Sequence, residues 1–392
     1  MKSARGPIVV LIGVALWFAA LCAVHPFLRV NAALDRALGA LPAWTQVERM
    51  HKDPATQELS RGENPLASFR ILAQDWAARP RVPRVILMGN SQTQETSLAR
   101  GEEPAAAPEK TYTDHLADAF RQSGSGVFYR LSAGALSYQE MLWYAFYLAD
   151  HPDIKPDALL VQLNYQNFVN GGIRAGMSSL LADPVFRARI DAIIAANRPE
   201  SGEFAEAARA YRSAQARPDA TVNAASEGAR QSAGYRIETF VRAGLEGVAP
   251  AIHERAALKQ EFVGFLFRCR AYGLHMQASS KRSLGGARVN AARAALEDLV
   301  ELCGRSGIRL LLFQAPTNPS SPLYASAEDD RAYHEYCAIA ASHGATLLDF
   351  ERVVPGPDWG MSLNAPDPLH MGRRAHRLFA DAMWAALKQN GL

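Results

Sequence analysis

The chain has 392 residues, of which 48% are hydrophobic and 21% charged, enough for one large globular domain or for a core domain carrying an inserted subdomain. Its formal net charge is +3, with the signs interspersed and no run of Lys or Arg, which excludes the basic stripe that nucleic acid requires. Four cysteines are too few for a disulfide framework, and none of the His, Cys, Asp or Glu spacings is that of a metal site.

Residues 1–28 read as a transmembrane anchor. Pro7 to Leu28 contain no Lys, Arg, Asp or Glu, and a run of about 20 apolar residues crosses a hydrocarbon layer about 30 Å thick. Lys2 and Arg5 precede it, which holds the N-terminus in the cytoplasm and sends the rest of the chain to the extracytoplasmic, periplasmic side of the cytoplasmic membrane. A cleaved signal peptide and a buried core helix remain open as other readings. Cys22 lies in this run; buried thiols are the expected state of Cys269, Cys303 and Cys337, with one bridge left open in an oxidising compartment.

Residues 29–80 read as a juxtamembrane helical connector, with helical periodicity at 31–41 and 66–78. An α/β alternation then begins, giving strand 84–88, helix 111–121, strand 127–131, helix 138–149 and strand 158–163, which together make a first core segment, 81–169. From 170 to 285 the rhythm breaks into Ala- and Arg-rich, mostly helical sequence, read as an inserted cap. The apolar run Phe262-Val-Gly-Phe-Leu-Phe267 within it suits packing under that cap or contact with a membrane. The alternation resumes in 286–392 with helix 289–304, strand 308–313, helix 327–343, strand 345–349 and helix 371–388. Gly307 and Gly344 follow two of these helices, where a left-handed cap needs glycine. Five strands separated by helices imply a parallel α/β sheet covered on both faces, with its ligands at the C-terminal ends of the strands.

Chemistry gathers at that edge. Ser91 directly follows the first apolar strand, in Gly89-Asn-Ser91; on its own this is as well explained by a turn serine capping a helix. His370 can act as its base, with Asp367 three residues earlier on a tight turn or first helical turn to hold the imidazole. Asp367 followed by Pro368 equally suits a helix N-cap with proline at the first helical position. An oxyanion needs donors aimed at the developing charge. Gly134 offers a backbone N–H and no side chain, and Asn164 offers a side-chain amide, each at the end of a strand. Asn167 is a second amide nearby. His376, among Arg373, Arg374 and Arg377, reads as a surface or groove residue.

In this order the segments resemble the SGNH, or GDSL-type, serine hydrolase and acyltransferase superfamily. Gly89-Asn-Ser91 matches its nucleophile block, Leu131-Ser-Ala-Gly134 its glycine block, Gln162-Leu-Asn164 its asparagine block and Asp367-Pro-Leu-His370 its terminal Asp-x-x-His block; 111–120 and 305–316 match as spacers. The resemblance covers about 82–165 and 288–390. It implies a flavodoxin-like three-layer sandwich and assigns Ser91, Asp367 and His370 to a triad and Gly134 and Asn164 to the oxyanion hole, with no cofactor. The chain departs from the pattern at Asn90 for Asp, Gln162 for Gly, Tyr165 for Asp and Ala375 for Gly. Membrane-anchored members of this kind work beside a multispanning O-acyltransferase, so the implied activity is transfer of an acyl group, acetyl by analogy, from an acylated donor to a glycan hydroxyl of a cell-envelope or exported polysaccharide. An esterase or deacetylase using the same residues, and a non-catalytic envelope scaffold, are the alternatives.

Overall fold

In the computed structural model, residues 58–59, 65–78, 82–94, 110–215, 283–321, 323–362 and 365–392 are described. The anchor, Asn31 to Leu41, Cys269 and the 262–267 run lie outside them. Among the described residues no helix is long and apolar enough to cross a membrane.

The strands form where short apolar runs can be buried on both sides. Strands β2 (Arg84–Gly89), β3 (Val127–Ser132), β4 (Ala158–Leu163), β5 (Arg309–Gln314) and β6 (Thr346–Asp349) make a parallel sheet, and every residue of β3 and β4 is buried. A two-residue strand, β1 (Glu58–Leu59), extends the edge, so among the described residues the order is β1-β3-β2-β4-β5-β6, six strands where the sequence indicates five. β1 lies in the connector expected to be helical and pairs in parallel with Arg130 and Leu131.

Alternate residues feed two separate cores, as the pleat requires. Ile86, Met88, Leu131, Val161 and Leu312 point to one face, covered by helices α1 (Pro65–Ala77) and, across the sheet, Tyr138–Asp150 and Ala287–Ser306. Val85, Leu87, Phe128, Leu160 and Phe313 point to the other, covered by Tyr112–Ser123 and Arg373–Gln389. Each fully buried side chain of this kind contributes about 1.5–3 kcal/mol, which makes the sheet a stiff platform for its own rim. Numbered in chain order, the helices after α1 are α2 (Tyr112–Ser123), α3 (Tyr138–Asp150), α4 (Tyr165–Val169), α5 (Pro184–Ala195), α6 (Ser201–Gln215), α7 (Ala287–Ser306), α8 (Ala327–Ser342) and α9 (Arg373–Gln389). Gly307 closes α7 at φ 65° and Gly344 follows α8 at φ 104°, both left-handed. Cys303 and Cys337 are buried free thiols, each pushed up to about 12 by burial.

One further element was not legible as a strand: Trp359–Ser362 (β7) and Ala365–Met371 (β8) form an antiparallel pair before α9. β8 carries Asp367 and His370. Helix α9 begins at Arg373, with Gly372 as its N-cap, so Asp367 does not cap it.

Candidate active site

Strand register alone sets three of the expected residues side by side. Gly89 of β2 pairs with Ser132 of β3, so Ser91 and Gly134, each two residues farther on, leave the sheet at one level. Met88 pairs with Val161 of β4, so Ser91 and Asn164, each three residues farther on, do the same. β2 lies between β3 and β4, which places the hydroxyl between the two amide donors at the carboxyl edge.

The turn that presents Ser91 is a single 3-10 turn, Ser91–Thr93, opened by Asn90, whose side-chain oxygen accepts the Gln92 N–H at 3.0 Å. Gly89 is sterically required: a Cβ there would lie 2.2 Å from Thr93 Cγ2 and 2.7 Å from Gln162 Oε1. Three of the residues at which the chain departs from the pattern it resembles, Gln162, Asn90 and Tyr165, are each engaged here. Gln162 Oε1 accepts the Asn90 N–H at 2.8 Å, its Nε2 donates to Gln92 Oε1 at 2.7 Å, and Gln92 Nε2 donates to the Pro316 carbonyl at 2.9 Å. That chain of amides staples the ends of β2, β4 and β5. Asn90 Nδ2 donates to Asn167 Oδ1 at 3.3 Å, a bond an ionised Asp could not make. Tyr165 is buried edge-on against Tyr324, with ring centroids 5.0 Å apart.

Into this rim β8 delivers the other two residues, Asp367 and His370, the latter 279 positions from Ser91 in sequence. His370 Nε2 lies 3.0 Å from Ser91 Oγ, and His370 Nδ1 lies 3.1 Å from Asp367 Oδ2. Asp367 Oδ1 accepts the N–H groups of Leu369 at 2.8 Å and His370 at 2.9 Å, so the carboxylate folds its own tight turn inside β8. Burial works to raise the Asp367 carboxyl, but the adjacent His370 ring and these N–H donors outweigh it and hold the group below the usual carboxylate range. An ionised carboxylate only accepts, so Nδ1 carries the imidazole proton and Nε2 is left to accept from Ser91. The Asp367 carbonyl is in turn held by Asn318 Nδ2 at 2.8 Å.

Asn164 is buried, its Oδ1 accepts the Gln166 N–H at 2.9 Å, and its Nδ2 is buried with no partner among the described residues. Such a donor is costly to leave unpaired, so it points to a ligand acceptor. Gly134 is exposed, and among the described residues nothing lies within 4 Å of where its Cβ would be. Asn167, the second amide, is already engaged with Asn90 and with the Leu136 carbonyl, so it braces the turns and is not a free donor.

His376 is not a surface residue. It is wholly buried, stacked beside Tyr112, and its Nδ1 accepts the Tyr112 N–H at 3.1 Å. The arginines around it are exposed on α9 while His376 shares the inward stripe with Ala375, Phe379 and Met383. Asp330, His334 and Glu351 also come together, ligand atoms within 4.8 Å of one another, although their spacing gave no hint of it. His334 bonds Glu351 Oε2 at 2.9 Å, and Glu351 Oε1 takes Tyr324 at 2.7 Å and Thr317 at 3.3 Å. These bonds brace the loop after β5 that carries Asn318. Sequence reading missed Asn318 and Gln92 as parts of the site and noted Gln162 only as a departure from the pattern; their shared signal is a polar side chain at a strand's carboxyl end.

No protein-family model and no curated protein matches the chain. Solved structures similar to it include a GDSL-like lipase from Bacteroides thetaiotaomicron (10% identity, 83% of this chain and 98% of that one, TM-score 0.36), an acetylxylan esterase from Geobacillus stearothermophilus (11% identity, 77% and 93%, TM-score 0.36) and an alpha/beta hydrolase enzyme from the metagenome of Lake Arreo, Spain (11% identity, 78% and 94%, TM-score 0.36). At that level of likeness they carry no argument about activity, which rests on the site itself.

Proposed function

We propose that this chain is an SGNH-type serine enzyme that forms an acyl-enzyme on Ser91, and that it works as a membrane-anchored, extracytoplasmic O-acyltransferase. The observation that carries the chemistry is the unbroken line from Ser91 Oγ through His370 to Asp367, at 3.0 and 3.1 Å. His370 takes the hydroxyl proton as Oγ attacks the donor's acyl carbonyl, the oxyanion forms beside Gly134 and Asn164, and the imidazolium returns the proton to the leaving oxygen. A glycan hydroxyl then repeats the sequence as acceptor. The charge-free stretch Pro7 to Leu28 behind Lys2 and Arg5 supports the membrane location, and a multispanning O-acyltransferase is the partner that would supply the acyl group, acetyl in this reading.

Hydrolysis is the second reading, supported by the partial exposure of Ser91 and His370, which lets water reach the acyl-enzyme. Incubation with an acetyl donor and an oligosaccharide decides between them: acetylated glycan that disappears with Ser91→Ala supports transfer, and free acetate alone makes the enzyme an esterase. Formation of neither product by the wild-type chain, with an unchanged phenotype for Ser91→Ala, would leave the scaffold reading.

A further inference from the structure

The turn that carries Gly134 is held by a residue from outside the family's blocks. Leu136 N–H closes a turn on the Ala133 carbonyl at 3.1 Å, and Ala135, its third residue, has φ 56°. That is the left-handed value a type II turn demands and glycine usually supplies; an alanine there is strained by its Cβ. A type I turn over the same residues would relieve it by rotating the Gly134–Ala135 peptide. That peptide's carbonyl is gripped: Arg174 Nη2 donates to Gly134 O at 3.1 Å.

The guanidinium is itself fixed. Arg174 Nε and Nη2 fork onto the two oxygens of Glu140 at 2.6 and 2.8 Å, and the Arg174 backbone N–H adds a third bond at 2.9 Å. Glu140 is 2% exposed and belongs to the capping box that starts α3, where it also accepts the Ser137 N–H at 3.1 Å. Ser137 Oγ ties back to the Gly172 carbonyl at 2.9 Å. A rigid helix start thus holds the arginine, and the arginine holds the turn.

On the reading that Gly134 donates to the oxyanion, we propose that Arg174 is a positioning residue for that donor: by holding the Gly134 carbonyl it pins the strained turn over 133–136, and so keeps the Gly134 N–H, on the adjoining Ala133–Gly134 peptide, at the level of Ser91. The strain is sustained by an ion pair whose cation comes from the segment after the asparagine block, which couples this segment to catalysis. Arginine is required because only a planar fork spans two carboxylate oxygens and a carbonyl together.

The test uses the full chain, with Arg174→Met and Arg174→Lys, measuring kcat and KM for a small acetyl ester alongside the thermal midpoint. Misplacement of a reacting group by about 1 Å costs on the order of 10²-fold, so Arg174→Met is expected to lose about that in kcat with KM nearly unchanged. Arg174→Lys, which retains the charge and much of the packing, is expected to keep a near wild-type midpoint and still lose kcat. Guanidinium ion added to Arg174→Gly should restore part of the rate. A folded Lys variant with wild-type kcat overturns the proposal while leaving Ser91 chemistry intact. Absence of Ser91-dependent turnover in the wild-type chain overturns the acyl-enzyme reading and this inference with it.

Discussion

Two buried carboxylates in this molecule behave in opposite ways. Asp367 is 8% exposed and Asp298 7%, so burial favours the neutral acid in both. Asp367 receives two backbone N–H groups and faces an imidazole, and is held low. Asp298, on α7, faces the wholly buried Glu200 as well as Arg198; burial first, then the neighbouring Glu200 carboxyl, push it up to about 7 against the pull of the arginine. Donors, and not depth, decide which acid is a fixed anion at neutral pH. A triad can be built on the first kind of carboxylate but not on the second.

The comparison breaks most visibly at Asp367. Asp367→Asn leaves the turn nearly isosteric but favours the wrong imidazole tautomer, and kcat should fall by roughly 10⁴-fold; a loss of less than tenfold would mean that the carboxylate's charge is irrelevant. Next in size is Asn164→Ala, which removes a buried donor that has no partner among the described residues. Steady-state kinetics should show a loss of roughly 10²–10³ in kcat with the fold retained. Asn318→Ala removes one neutral bond, worth about 1 kcal/mol, to the Asp367 carbonyl, so about a fivefold fall in kcat is expected, with KM unmoved.

The smallest effect falls on the other carboxylate and appears in stability. Asp298 binds its proton more tightly folded than unfolded, so its contribution to stability declines as pH rises from about 4, the ordinary carboxylate value, through about 7. Asp298→Asn should flatten the decline in thermal midpoint across that window and leave kcat unchanged. Asp367 has the opposite sign: its contribution is present above about 4 and is lost as pH falls through its lowered folded value.

What the sequence discloses follows the same division between local and non-local causes. Strands β2 to β5 were legible because residues such as Val85 to Met88 and Leu159 to Val161 are apolar in unbroken runs, the mark of parallel strands buried on both faces, whereas the edge strand β6 is only partly buried and was legible from its place in the alternation. Ser91, Asp367 and His370 were legible because each sits in a short block with its own spacing. The β7–β8 pair was not, since Pro366 and Pro368 argue against a strand and are tolerated only on an edge with no further neighbour. His376 was misplaced because its charged neighbours suggest a wet helix face, whereas the 3.6-residue period turns it inward. The grip of Arg174 on Gly134 crosses 40 residues and has no local signal.

The most direct test is intact-protein mass spectrometry after brief exposure to an activated acetyl ester, with wild type, Ser91→Ala and His370→Ala run in parallel. One acetyl group mapped to Ser91 in the wild type, and its absence from both variants, is the result expected of the Ser91–His370–Asp367 line. Acetylation at another residue, or labelling of Ser91 at an undiminished rate without the imidazole, would contradict it.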